Sequence, residues 1–413
     1  MSIFKQILAN KERKSIVTNM GYLTLLQVAN YVFPFITLPY LARTIGVDGF
    51  GKIAFAGAVI LWVQTITDWG FNYSATRDLV RVRDDNNAVS DIFSSVLWAR
   101  CLLMFLSLGG LAILILTIPI FRENALIICI SFLLVPGHIA CPEWFFQAME
   151  DMKYITILNV ISKLIFTIAV FLVIKDKSDY WLQPLLSALG YILAGIVAFY
   201  FIIKKWNVKL RRPSFKNIIE TIKSSTDVFI SNIIPNIYNS FSVILLGCFG
   251  GAASNGIFDA GNKFVTLGHQ AVNIISRTFF PVIARNVNKH KVYEKIGVGT
   301  AMLISVLLFL FAPLLIKLFF TEEFAMAIVV LRIKSICVFF VALNRVYGIN
   351  YLIIIGKDKV VRNVSTICSI VGFIIMIPLV YFFDYIGAAI TIAVTQGLIG
   401  FINTIIAKKN IKS

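Results

Sequence analysis

The stretch YLARTIGVDGFGKIAFAG, residues 40–57, decides the fold, with Gly46, Gly49 and Gly51 crowded around the lone acid Asp48. Glycines this dense can form a loop whose bare amides hold a phosphate, which would place the stretch in a soluble nucleotide domain. The loop lacks the GK[ST] ending, because Lys52 is followed by Ile53. On either side lies an apolar run of about 20 residues, long enough to cross roughly 30 Å of hydrocarbon. The stretch is therefore expected to be a tight turn joining two membrane spans, with glycines supplying positive φ and close helix approach.

Outward from that turn the same pattern fills the chain. Of 413 residues, 58% are hydrophobic and 14% charged, with a mean hydropathy of +0.84, a balance that excludes a water-soluble globular protein. Twelve spans are expected, near residues 16–42, 52–75, 92–118, 125–147, 155–174, 181–203, 226–249, 255–284, 296–319, 325–353, 360–382 and 384–406. The longest polar stretch, KKWNVKLRRPSFKNIIETIKSS at 204–225, separates six spans from six. The expected organisation is an N-terminal six-helix lobe at 1–203, a cytoplasmic linker with an amphipathic helix at 204–225, and a C-terminal six-helix lobe at 226–413. Within the linker, Ile218, Ile219 and Ile222 share one helix face and Lys216, Glu220 and Lys223 the other, as for a helix lying on a membrane surface.

A shift of 204 residues superimposes the halves without gaps. Gly46, Ile53, Ala56 and Gly57 fall on Gly250, Ile257, Ala260 and Gly261; Arg81 falls on Arg285; Lys153, Asn159 and Val160 fall on Lys357, Asn363 and Val364; Lys204 and Lys205 fall on Lys408 and Lys409. Six spans per half is an even number, so the two lobes are expected to share an orientation and to be related by a pseudo-two-fold axis along the membrane normal.

The net charge of +17 invites a nucleic-acid reading, which the placement of the charges excludes. Most of the 38 lysines and arginines fall in alternate loops and the two tails, among them Arg77, Arg81, Arg83, Lys204 to Lys223, Arg285 to Lys295, Lys357 to Arg362, Lys408 and Lys409. That is the positive-inside pattern, and it puts both termini in the cytoplasm and the 40–57 turn outside. The N-terminal MSIFKQILANKERKS has no small-residue cleavage site, so no removable leader is expected. The six cysteines lack CxxC spacing and read as packing residues, and His138, His269 and His290 are too scattered for a metal. Neither a cofactor nor an enzymatic constellation is expected.

Eleven ionisable residues lie inside the expected spans: Asp68, Arg100, Glu143, Lys163, Asp227, Asp259, Lys263, Arg277, Arg332, Lys334 and Arg345. Exposing all of them to lipid would cost on the order of 30 kcal/mol, so they must face an interior or a water-filled cavity. The basic excess makes that cavity cationic and its cargo anionic. Arg100, Lys163, Lys263, Arg277 and Arg345 lie deepest and are the expected substrate path; Asp68 and Glu143 are candidates for ion coupling. Prolines within spans, such as Pro34, Pro39, Pro136, Pro142 and Pro378, supply bends at which lobes could flex.

The chain resembles the Wzx-type O-antigen flippases of the multidrug/oligosaccharidyl-lipid/polysaccharide exporter superfamily. The stretches that carry the resemblance are FPFITLPYLARTIGVDGFGKIAFAGA at 33–58, DWGFNYSATRDLVRVRDD at 68–85, CPEWFFQAMEDMK at 141–153, FDAGNKF at 258–264 and VYGINYLIIIGKDK at 346–359. It implies a bacterial inner-membrane protein that moves undecaprenyl-pyrophosphate-linked oligosaccharide repeat units to the periplasmic leaflet by alternating access between two lobes, for lipopolysaccharide or other surface polysaccharide. It also implies basic residues in a central cavity; of the five candidates only Lys263 falls inside a matched stretch. Expected partners are the lipid-linked oligosaccharide, membrane lipids and other polysaccharide assembly proteins, with no nucleic acid. Membrane potential and proton or sodium exchange both remain open as the driving force. Two other functions stay open: a multidrug and toxin extrusion type antiporter, for which an acidic cavity is expected, and a membrane-embedded polysaccharide transferase.

Overall fold

The computed structural model describes residues 11–412, excluding the side chains of residues 11–17, 20, 23, 231–239, 281, 288, 411 and 412. The first ten residues of the basic N-terminal stretch lie outside the described residues. In chain order the helices are α1 (Lys11–Asp68), α2 (Phe71–Arg81), α3 (Asn86–Thr117), α4 (Pro119–Glu123), α5 (Ala125–Phe132), α6 (Leu134–Ala140), α7 (Glu143–Ala148), α8 (Met152–Val173), α9 (Leu182–Lys205), α10 (Phe215–Phe249), α11 (Gly251–Arg285), α12 (His290–Phe319), α13 (Ala327–Leu343) and α14 (Asp358–Lys412). There is no strand among the described residues. In hydrocarbon every backbone amide and carbonyl needs a partner within its own segment, and the helix supplies it.

Eight helical stretches among the described residues are long and apolar enough to cross a membrane. Two of them contain sharp breaks: α1 turns at Gly46 (φ 67°, ψ −177°) and α14 at Asp384 (φ 52°, ψ −132°). The opening stretch thus contains a break where glycine was expected to allow one. Gly51 meets the second expectation, close approach. A Cβ there would strike the carbonyl of Ala252, and one on Gly256 would strike the carbonyl of Val47. The glycine-rich segments around 46–51 and 250–256, which the 204-residue shift superimposes, therefore pack backbone to backbone.

By spatial clustering, one compact unit comprises the chain up to Tyr40 together with Val59–Ile233, and the other Leu41–Ala58 together with Ile234 onward. The core of the first unit is aromatic. Trp144, Phe145 and Phe146 of α7 are at most 1% exposed and pack with Phe71, Leu79 and Phe93. In the second unit, Ile283, Tyr293, Val346, Tyr347 and Leu352 form a buried cluster beside Val361 and Ala407.

Helix α12 shows how a bilayer sorts side chains. Its exposed positions are large and apolar, with Leu303, Leu310, Leu314 and Leu318 all between 58% and 62% exposed, while Gly297, Ala301, Ser305 and Ala312 are buried. Lipid tails are as apolar as leucine, so helices associate through small residues that let backbones approach. Ser305 also bonds across to α13: its hydroxyl donates to the Ser335 carbonyl (2.8 Å) and accepts from the Phe339 amide (3.2 Å).

Candidate functional site

The first unit gathers five ionisable groups from five helices. Asp68 ends α1, Arg100 lies in α3, His138 in α6, Glu143 opens α7 and Lys163 lies in α8. Pro142 marks the break that ends α6 and sets Glu143 at the start of α7, where a carboxylate complements the helix dipole. Arg100 donates through Nη2 to Asp68 Oδ1, with its side chain 5% exposed against 34% for the carboxylate. Glu143 is exposed to open space and lies within electrostatic reach of Asp68, Arg100 and Lys163. His138 feels Asp68, Arg100 and Lys163, and stacks on Tyr191 with ring centroids 4.3 Å apart. Gly137 permits that approach, since a Cβ there would meet Tyr191 Cβ at 2.9 Å.

The charges of this cluster balance. Arg100 and Lys163 face Asp68 and Glu143, and the Arg100 guanidinium is committed to Asp68. A buried ion pair of this kind is costly to break, because removing one partner strands the other charge.

The second unit has a different balance. On α11, Lys263 Nζ pairs with Asp259 Oδ2 one turn away (2.9 Å) and sits 5.8 Å from the Phe50 ring centroid. Lys334 on α13, 3% exposed, donates to Asn262 Oδ1 (2.5 Å) and lies 4.4 Å over the Phe258 ring. Further along α11, His269 lies within electrostatic reach of Lys334 and Arg345, and Arg345 in turn of Arg277 and Tyr293. Neither arginine makes an ion pair among the described residues, and Arg345 Nε is buried without a partner.

Arg345 owes its position to a ten-residue π-helical segment, Asn344–Ile353, that continues α13. Such a segment widens the turn and is frequent at functional sites. Here asparagines pin it at its first residue and again in its second half. Asn403 Nδ2 donates to Asn344 Oδ1 (2.8 Å), and Asn350 exchanges two hydrogen bonds with Ser276 of α11. Gly348 must lack a side chain, because a Cβ would lie 2.6 Å from Asn344 Oδ1 and 3.2 Å from Asn403 Nδ2.

The five expected path residues thus fall into two groups: Arg100 and Lys163 in the first unit, Lys263, Arg277 and Arg345 in the second. Asp68 and Glu143 join the first group. Sequence reasoning missed His138, Tyr191, His269, Asn273 and the Ser276–Asn350 pair as site neighbours. One signal for two of them was present: Asn262, Thr266, His269, Asn273 and Arg277 recur every three or four residues, the spacing of one helix face.

A family model described as polysaccharide biosynthesis protein matches residues 16–287. A protein of Escherichia coli (strain K12) named for O-antigen transport is 27% identical over 97% of this chain and 99% of its own length. A Shigella dysenteriae protein of the same name is 27% identical over 92% of this chain and 97% of its own. Among solved structures, the lipid II flippase MurJ in an inward closed conformation aligns with a TM-score of 0.71 at 16% identity, covering 94% of this chain and 87% of that one. An inward-facing MATE family multidrug resistance transporter aligns with a TM-score of 0.64 at 16% identity, covering 91% and 94%. At that identity the likeness concerns the fold.

Proposed function

The chain belongs to the polysaccharide biosynthesis protein family, and from that premise we propose that it is a flippase for undecaprenyl-pyrophosphate-linked O-antigen or related repeat units, carrying them from the cytoplasmic to the periplasmic leaflet by alternating access. The observation that carries this reading is the Arg277–Arg345 pair: two neighbouring guanidiniums, one exposed on α11 and one half-buried in the π segment, with no carboxylate bound to either among the described residues. Like charges side by side repel, and an anion between them relieves the repulsion. A diphosphate is an anion that guanidinium recognises well, through paired hydrogen bonds. The names of the curated relatives favour the same cargo.

In this reading the fold is twelve helices in two six-helix lobes at 1–203 and 226–413, joined by the linker at 204–225, with both termini on the cytoplasmic side of the inner membrane. The breaks at Gly46 and Asp384 support the count, since each turns one long helix into two. The basic tails and loops support the orientation. Energetically, a cargo with about two negative charges gains roughly 4 to 5 kcal/mol moving outward across about 100 mV, inside negative. Asp68 and Glu143 keep ion exchange as the second source of drive, because they sit among titratable neighbours and neither is fully buried.

The balanced charges of the first unit and the cationic second unit count against a drug-cation antiporter, which needs uncompensated carboxylates. The deciding experiment deletes the gene and measures long O-polysaccharide. Loss on deletion with return on complementation, and accumulation of the lipid-linked unit in the cytoplasmic leaflet, are expected. Normal display in the deletion strain overturns the reading.

A further inference from the structure

On α11, His269, Asn273 and Arg277 stand at successive four-residue steps, which puts them on one helix face. Arg345 lies within electrostatic range of both His269 and Arg277. Three buried polar atoms here have no partner: His269 Nε2, Asn273 Oδ1 and Arg345 Nε. Buried polar atoms are almost always bonded, so three orphans on neighbouring residues mark a place for a ligand.

The chemistry of the orphans is mixed. His269 Nε2 is one of the orphans, and an imidazole nitrogen accepts or donates according to its tautomer. In the neutral ring with its proton on Nδ1, Nε2 is an acceptor. Asn273 Oδ1 is a second acceptor, while Arg345 and Arg277 are donors with positive charge. Hydrogen phosphate, with a single P–OH proton, would satisfy the arginines and at most one of the two acceptors. Water would serve the acceptors and leave the two positive charges uncompensated. A molecule bearing hydroxyl donors next to anionic oxygens satisfies all of them.

We infer that the second unit holds a subsite for the sugar–diphosphate junction of an anionic glycolipid: Arg277 and Arg345 take phosphate oxygens, while His269 Nε2 and Asn273 Oδ1 accept hydrogen bonds from hydroxyls of the first sugar. This rests on the flippase reading and sharpens it, because it makes His269 and Asn273 the residues that distinguish a loaded carrier from a bare one. The Ser276–Asn350 exchange holds the π segment against α11, and so keeps Arg345 opposite the row. Lys334, also within electrostatic range of His269, bonds Asn262 and adds positive charge without taking a place in the subsite.

The test measures binding of two probes to the full chain in nanodiscs: a polyprenyl diphosphate, and the same lipid bearing one hexose. Wild type is expected to bind the glycosylated lipid more tightly. His269→Ala and Asn273→Ala should each lose about fivefold of that preference, the size of one hydrogen bond, while binding the bare diphosphate as wild type does. Arg345→Gln should weaken both probes. Because His269→Ala could unsettle the helix, Asn273→Ala and an unchanged melting temperature serve as the second reading. Unaltered preference in both variants, or equal loss for both probes, overturns the subsite while leaving transport standing. A wild-type protein that binds neither probe and restores no O-polysaccharide display overturns the flippase reading together with it.

Discussion

Asn350 Nδ2 donates to the Ser276 carbonyl (2.9 Å) while the Ser276 hydroxyl donates back to Asn350 Oδ1 (3.3 Å), joining a π-helical segment to the middle of α11. Both residues are buried, with Asn350 at 0% and Ser276 at 3% exposure. Cutting this exchange leaves polar atoms unpaired in a dry interior, at about 1 to 3 kcal/mol. Asn350→Leu is therefore expected to lower the melting temperature of the purified protein, and to reduce transport further than the stability loss explains, because Arg345 loses its anchor. A variant with wild-type transport and a lowered melting temperature would confine Asn350 to a packing role.

The Arg100–Asp68 pair gives a prediction with an internal control. Asp68→Ala strands a guanidinium that is almost wholly buried, and is expected to cost about 3 to 5 kcal/mol. The double variant Asp68→Ala with Arg100→Leu should recover most of that loss, since an apolar pair of similar bulk often replaces a buried ion pair at little cost. Thermal unfolding in detergent reads both. If Asp68→Ala is as stable as wild type, the pair is not the counter-ion arrangement described above.

Glycines in the first turn separate by what their missing Cβ would meet. At Gly51 a methyl group strikes the Ala252 carbonyl, backbone against backbone, whereas at Gly57 nothing lies within 4 Å. Gly51→Ala is expected to unfold or misassemble the hairpin, while Gly57→Ala is tolerated or slightly stabilising. Gly46→Ala should fall between, at about 1 to 2 kcal/mol, because its φ of 67° is left-handed. Membrane-fraction yield and melting temperature of the three variants order them; a different order would remove the close-packing explanation.

These examples mark how far the sequence could be read. Helix breaks were legible where they rest on local chemistry: the glycines at 46–51 announced a turn, and the last two expected spans were divided at Asp384, where α14 breaks. The expectation that the span charges face an interior holds for Arg100 and Lys334, which are buried, while Glu143, Arg277 and Arg332 are exposed. What was not legible depends on tertiary contact. Nothing local in NRVYGINYLI indicates a π-helix, since the segment is held by Asn403 and Ser276, 50 or more residues away. The pairing of Arg100 with Asp68, and of Lys263 with Asp259, turns two of five expected path cations into neutralised ones; Asp259–Lys263 could have been found as an i,i+4 pair, the other could not. Leu41–Ala58 clusters with the C-terminal half, a grouping that no change in composition announces.

The Arg277–Arg345 pair yields the most direct prediction, because two like charges held together repel until an anion arrives. Removing one charge should relieve that repulsion, so Arg277→Gln is expected to raise the stability of the ligand-free protein or leave it unchanged. In wild type, a polyprenyl diphosphate should stabilise by an amount that grows with concentration, about 2.7 kcal/mol at one hundred times its dissociation constant. The same lipid should stabilise Arg277→Gln and Arg345→Gln much less, and Lys263→Gln as fully as wild type, since Lys263 already has Asp259 as its partner. High salt should shrink the effect, because the exposed Arg277 is screened, though less for the half-buried Arg345. Thermal unfolding of the four proteins, with and without lipid and with a neutral polyprenol as control, measures each of these differences. Equal stabilisation of wild type and both arginine variants would mean that the diphosphate is held elsewhere; equal stabilisation by the neutral polyprenol would mean that the tail alone is bound.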